Sequence, residues 1–358
     1  MPSLKEIKGR INSISSTLAI TSAMKMVAAA KLQKAQMAIQ NMLPYERRLY
    51  SMLVDLMGAM NISAAASEDG SVRGSGSAER GFDQSGDRLS LSNRHDLAGM
   101  DGAYSLMAQR EVRKVAIVAF ASNSSLCGAF NSNVIREATA VINEYRASGL
   151  RDSDIVVYSV GRKMAEAMRK LGFPSPADFT KMSDSPSYEA ASALAQELLD
   201  GFVSGRFDKV ELVYNHYKST SSQPTTRQTY LPLSLADATA DLQAGKITDS
   251  ASETDTNKVA EPVGAPVVRQ GSPTTEDLIV EPSKEALIAT LLPKVVRLRI
   301  FTTLLDSAAA EHAARTVAMQ LATDNGNDLL QELTLEYNKG RQQKITSEIL
   351  DLVGGSMQ

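Results

Sequence analysis

The octapeptide SSLCGAFN at 124–131 carries the only cysteine of the chain, Cys127, in a turn between a β-branched run and a helical pattern. A thiolate nucleophile there would need a base within hydrogen-bond reach. The three histidines lie elsewhere in the sequence: His95 in a polar stretch, His216 at a strand, His312 in a C-terminal helix. A strand-to-helix turn is also where a nucleotide phosphate would bind, but this one has a single glycine instead of the three-glycine fingerprint, and it has no P-loop lysine. The simpler reading is a packed, partly exposed turn. VGRK at 160–163 places glycine and two cations at a second helix start, where free amides attract anions; such junctions often carry these residues with no ligand. Asp306, Glu311 and Asp324 read as solvated helix faces, and no two carboxylates have catalytic spacing. One cysteine excludes an internal disulfide and a cysteine-based zinc site. The residues therefore point to no catalytic, cofactor-binding or metal-binding set.

The elements around these residues alternate. Stretches 112–121, 154–160, 209–217 and 229–233 read as strands, and 132–148, 162–171 and 187–204 as helices. Strands alternating with helices predict a small, mostly parallel, Rossmann-like α/β domain over 111–235. A flexible polar insertion is expected at 64–110, rich in Gly, Ser, Asp and Arg through 101, and another at 236–281, dense in Pro and Gly.

The ends differ in kind. From Leu4 the apolar series runs Leu4, Ile7, Ile11, Ile14, Leu18, then Ala28, Leu32, Ala35, Ile39, Met42, Leu49, Leu53, Leu56 and Met60. Steps of three and four make a heptad seam, narrow enough for one partner helix. Segment 282–358 offers a second rod, with Ser283 as N-cap. At 1.5 Å per residue these rods would run roughly 80 Å and 100 Å, far beyond an average helix. The predicted architecture is a long antiparallel two-helix coiled coil (1–63 and 282–358) bearing a central α/β domain.

Composition fits a shaft better than a pocket. Hydrophobic residues make up 43% of the 358 residues, yet aromatics are only 5% and tryptophan is absent. The net charge of −3 gives no reason to expect a nucleic-acid partner. Cations nevertheless concentrate early: Lys5, Lys8, Arg10, Lys25, Lys31 and Lys34 face the single acid Glu6. The basic amphipathic start imitates a transit peptide but already carries the seam, so it reads as mature structure. Polar residues interrupt both seams, Thr21 and Lys25 in the first, Thr316, Thr323 and Gly326 in the last. They either set register between the helices or lie where another surface must bind and let go.

Taken together, three stretches carry a family resemblance: Glu6-Ile7-Lys8-Gly9-Arg10-Ile11, ITSAMKMVAAAKLQKAQ at 20–36, and ARTVAMQLATDNGNDLLQELTLEYNKGRQQKITSEILDLVGG at 314–355. The chain resembles the gamma subunit of rotary ATP synthase. SSLCGAFN stands where that family has a Leu-Cys-Gly turn, and Ser222-Gln223-Pro224-Thr225 resembles a further motif. The termini match strongly, the middle loosely, and the two insertions are not covered. Ser122-Asn123-Ser124-Ser125 replaces a more charged run of the family.

The resemblance implies a non-catalytic rotor shaft with no cofactor, present once per complex. Its helices would turn inside a ring of alpha and beta subunits, while its middle domain meets epsilon and the membrane c-ring. It would sit on the cytoplasmic side of a bacterial inner membrane. Residue by residue, it implies beta-subunit contacts at Met24, Lys25, Cys127, Arg315, Arg341, Gln342, Thr346 and Glu348. Two rivals follow from the residues alone: a stand-alone coiled-coil adapter with an α/β head, and a nucleotide-binding enzyme built on the middle domain.

Overall fold

A computed structural model of the chain describes residues 3–68, 106, 110–233, 281 and 283–356. The two insertions read from the sequence fall almost wholly outside these residues. Helix α1 (Leu4–Glu68) and helix α6 (Lys284–Ser356) lie antiparallel along each other. At 65 and 73 residues they measure about 100 and 110 Å, longer than the seam alone suggested because α1 continues past residue 63. Each start is capped as its sequence demands. The Ser3 hydroxyl accepts from the Glu6 amide at 3.2 Å, and the Ser283 hydroxyl accepts from the Ala286 amide at 3.2 Å. Pro44 and Pro293 lie inside the helices, each removing one backbone donor.

The seam is where periodicity put it. Ile7, Ala28, Leu32, Leu49, Leu53 and Leu56 are buried, and the other expected seam residues up to Met42 are half-buried. Register is fixed by small and polar residues. Leu18 lies against Gly326, where an added Cβ would come within 2.6 Å of Leu18 Cδ2. One turn along, the Thr323 hydroxyl donates to the Thr21 hydroxyl at 3.1 Å. Leu4 packs on Gly340. The polar breaks at 21, 323 and 326 thus face one another, which favours the register reading.

Between the helices come β1 (Val115–Phe120), α2 (Phe130–Ala147), a 3₁₀ turn (Asp152–Asp154), β2 (Ile155–Val160), α3 (Arg162–Lys170), α4 (Thr180–Asp184), α5 (Tyr188–Val203), β3 (Lys209–Asn215) and β4 (Thr225–Leu231). The sheet order is β2-β1-β3-β4, parallel except for the antiparallel edge strand β4. Helix α4 has five residues, too few to show a period. Strand β3 stops short of 217 because His216 and Tyr217 leave the sheet to bond α6.

Alternation along β1 separates two cores. Val115, Ile117 and Ala119 pack with α2 and α3. Ala116, Val118 and Phe120 face α5, the base of α1 (Leu49, Leu53, Leu56) and α6 from Ile288 to Leu304. The coiled coil is therefore not appended to the α/β domain: its base forms one of the domain's layers. Among the described residues no helix is long and apolar enough to cross a membrane.

Candidate coupling surface

In an open α/β sheet, ligands bind outside the carboxyl ends of the strands where the order reverses. Here that point lies beyond β1, between β2 and β3, and the segment 121–131 fills it. Asn131 organises the turn: its Oδ1 accepts from the Ser122 amide at 3.0 Å, and its Nδ2 donates to Ser122 Oγ at 2.8 Å and to Cys127 Sγ at 3.2 Å. The cations at 160–163 are committed to neighbours, as the reading of a ligand-free junction requires. The Arg162 guanidinium donates to the Asn123 carbonyl at 2.7 Å, and Lys163 pairs with Glu166 at 3.5 Å. Gly161, at φ +95°, is required there because a Cβ would meet the Ala121 carbonyl at 2.0 Å.

Helix α6 then closes the crevice. A cavity of about 10 Å³ remains, lined by Phe120, Ala121, Val160, Ser183, Leu304, Ser307, Ala308 and Glu311. That is about the space of one water, far below what a nucleotide needs. Cys127 is buried, packed on Phe130 and Ala310 of α6, with Ser122, Ser124 and Asn131 as its polar neighbours. The turn around it is exposed at Ser124, Ser125, Leu126, Gly128 and Ala129, so the expectation of a packed, partly exposed turn holds.

Two of the three acids read as solvated helix faces are not solvated. Glu311 is 8% exposed. Its Oε1 pairs with Arg315 Nη1 at 2.8 Å, while Arg315 Nη2 donates to Ser124 Oγ at 2.7 Å. Burial raises the Glu311 carboxyl, and Arg315 opposes that rise. Burial also pushes neighbouring His312 down to about 4, with the Arg315 and Lys31 charges adding to the effect. Asp306 is the second exception: its carboxylate takes His216 Nδ1 at 2.7 Å and the Tyr217 amide at 2.9 Å. Only Asp324 is exposed, bonded to Gln320.

The residues named by resemblance fall into two groups. Met24 and Lys25 are half-buried on α1, next to the Thr21–Thr323 bond. The Cys127 turn meets α6 at this level, with Gly128 beside Ala318. Arg315 joins them, but its guanidinium is committed to Glu311 and Ser124, with 11% of the side chain exposed. Around this girdle Ile20, Met26, Val27 and Leu321 are exposed. The second group, Arg341, Gln342, Thr346 and Glu348, stands about 35 Å farther along α6. All four are exposed, Lys344 and Glu348 lie 3.7 Å apart, and the Thr346 hydroxyl bonds the Gln342 carbonyl at 2.9 Å. Beyond Gly340, where α1 begins beside it, no other described helix flanks α6 and every described side chain is exposed, including Ile345, Ile349, Leu350 and Leu352.

Sequence reasoning missed Ser124, Glu311, Asp306, Tyr217 and Gln36 as tethering residues. The Gln36 amide donates to the Tyr217 hydroxyl at 2.6 Å across 181 positions, a pairing without a local sequence signal.

A family model described as ATP synthase matches residues 3–357. The ATP synthase gamma chain of Phocaeicola vulgatus is 46% identical over 357 residues, covering 100% of both chains. That of Bacteroides thetaiotaomicron is 44% identical over 358 residues, again covering 100% of both, and that of Flavobacterium johnsoniae is 36% identical over 356 residues, covering 99% and 98%. These alignments run through the two insertions, which correct the expectation that similarity stops at them: relatives of matching length share the segments. Among solved structures, the rotor of the Euglena gracilis mitochondrial ATP synthase superposes with a TM-score of 0.52 at 18% identity, covering 96% of this chain and 98% of that one. A chain of the OSCP/F1/c-ring assembly from the same organism, in another rotational state, gives 0.54 at 18% identity, covering 99% and 93%. At that identity the likeness is one of fold.

Proposed function

The chain belongs to the ATP synthase gamma-chain family, and from that premise we propose that it is the central-stalk rotor of a proton-translocating ATP synthase. It is non-catalytic. As a gamma chain it associates with the catalytic and membrane-rotor components of the enzyme, peripheral to the membrane. The finer reading is one copy per complex, on the cytoplasmic side of an inner membrane. The tip of α6 stands inside a ring of alpha and beta subunits, and the α/β head meets epsilon and the c-ring.

The observation that carries this reading is the lone end of α6. A helix end with Ile345, Ile349, Leu350 and Leu352 exposed and, among the described residues, no second helix beside it is an incomplete core. A sleeve of apolar side chains from surrounding subunits would complete it. Arg341, Gln342, Thr346 and Glu348 would bond a loop of beta at the mouth of that sleeve. At the girdle, Met24 and Lys25 would face an acidic lever of beta, with the exposed rim of the Cys127 turn beside it. Arg315 would serve there by clamping that turn to the shaft.

Coupling then follows from asymmetry. Two helices of unequal length present a different face to each of three like sites, and differential contact is what biases otherwise equal conformations. Shifting a site from 1:99 to 99:1 takes about 5.5 kcal/mol of difference. Solvent-exposed polar contacts contribute roughly 0–1 kcal/mol each, so several together suffice while each stays weak enough to break every turn.

The test is a photo-cross-linker in place of Ile349, activated in the purified complex. Linkage to nucleotide-binding ring subunits supports the rotor. Linkage only between two copies of this chain would instead support the adapter.

A further inference from the structure

The loop between β3 and β4 bonds both long helices from the head. Tyr217 reaches α1 through Gln36 at 2.6 Å and packs against the buried cluster of Leu32, Ala309 and Ala313. His216 and the Tyr217 amide together hold both oxygens of Asp306 on α6, at 2.7 and 2.9 Å. The loop braces itself through Ser219 and Ser222, and through Gln223, whose amide donates to the Ser219 and Thr220 carbonyls. Head and shaft already share a core at the base of the coiled coil; this tie adds a second attachment higher on the shaft.

The geometry points to a proton-sensitive clasp: the His216 imidazolium and the Asp306 carboxylate lock the β3–β4 loop onto α6, and loss of the imidazole proton loosens the loop from that helix. When the ring is charged, its Nδ1–H donates to Asp306 Oδ2 as a charge-assisted bond, screened in part by solvent because half of the His216 side chain is exposed. The groups facing it are few. Asp306 on α6 raises the imidazole from 6.5, mainly through that hydrogen bond; partial burial and Lys218 on the same loop pull it down. From α1 the adjoining surface is Gln36 with apolar neighbours. The other histidine in the described structure, His312, is held neutral near 4 and does not titrate in the same range.

The sign follows from linkage. The closed loop raises the imidazole, so closure is strongest below about 6.5 and weakens as pH climbs through the raised value. Each unit by which closure lifts the pKa costs a tenfold loss in the closing equilibrium across the titration.

Hydrogen exchange at the Tyr217 amide in the full-length chain reads closure directly, because that amide is one of the two donors. After correction for intrinsic exchange, its protection should fall between pH 6 and pH 8.5 in the parent. In His216→Gln it should be flat over that range. Asp306→Asn keeps an acceptor for the amide, so it tests charge without removing the bond: the His216 ring signal, assigned by its loss in His216→Gln, should titrate at lower pH than in the parent. Protection that does not change with pH in the parent overturns the proposal. So does an equal slope in His216→Gln, or a His216 midpoint unmoved by Asp306→Asn.

Discussion

Helix α6 is two different objects along its length. From Ile288 to Ala313 it is wrapped by the sheet, α5 and α1, and residues such as Leu292, Ile300 and Ala309 have no exposure. From Leu321 onward most positions are exposed, and past Gly340 all described ones are. Apolar residues occur in both stretches. In the lower one they are the core of this molecule; between Leu321 and Gly340 one face still packs on the start of α1, and past Gly340 the described apolar side chains are surface. An apolar helical pattern thus states that a face will be covered and leaves open which chain covers it.

The contrast can be broken from either end. Arg315→Ala should have the largest effect, because it strands the Glu311 carboxyl in a buried site. Removing one partner of a buried pair costs about 3–5 kcal/mol. Glu311 is already raised by burial, and without Arg315 it should bind its proton more tightly still. A group raised on folding favours the folded state while protonated, so stability of this variant should drop as pH rises from the ordinary carboxylate range toward neutrality, more steeply than in the parent. Denaturant midpoints at pH 5 and pH 8 would check both size and slope.

Next comes a matched pair of truncations. Leu292→Ala in the embedded stretch should cost about 2–5 kcal/mol, whereas Ile349→Ala at the tip should stay within about 0.5 kcal/mol for the chain alone. Urea unfolding of each purified variant measures the difference. If both lose equally, the tip is covered within the chain and the contrast fails. In the assembled enzyme the order should reverse for function, with Ile349→Ala lowering the ratio of proton pumping to ATP hydrolysis.

Gly326→Leu sharpens the middle ground between the two stretches. A side chain there collides with Leu18, and overpacking of this kind costs about 1–3 kcal/mol. The end of Leu18 can swing away, so the effect should sit at the low end of that range. The Thr21–Thr323 bond reports it: cysteines introduced at 21 and 323 should cross-link readily in the parent and slowly in the Gly326→Leu background.

Much of the architecture was legible from local rules. The seam from Leu4 to Leu56 is buried or half-buried as its spacing requires, and Ser283, read as an N-cap, accepts the Ala286 amide. The strands were found nearly in place, β4 least well, because Thr225 to Gln228 are half-exposed and show no clear alternation. The candidate coupling surface was legible in part. The tip residues were named through resemblance, and all four are exposed. Glu311 and Asp306 were misjudged, because a carboxylate on a helix looks solvated until its neighbours are known.

The sequence by itself determined the two rods, their seam, their caps and the alternating head, since each depends on neighbours within a few residues or on a repeating period. Tertiary structure alone decided that α6 seals the switch-point crevice, that Arg315 spends its charge on Glu311 and Ser124, and that the head grips the shaft through His216 and Asp306. Apart from the local Arg315–Glu311 pair, those outcomes depend on side chains about 90 to 190 positions apart, and whether a polar group meets water or a partner is set by what folds over it.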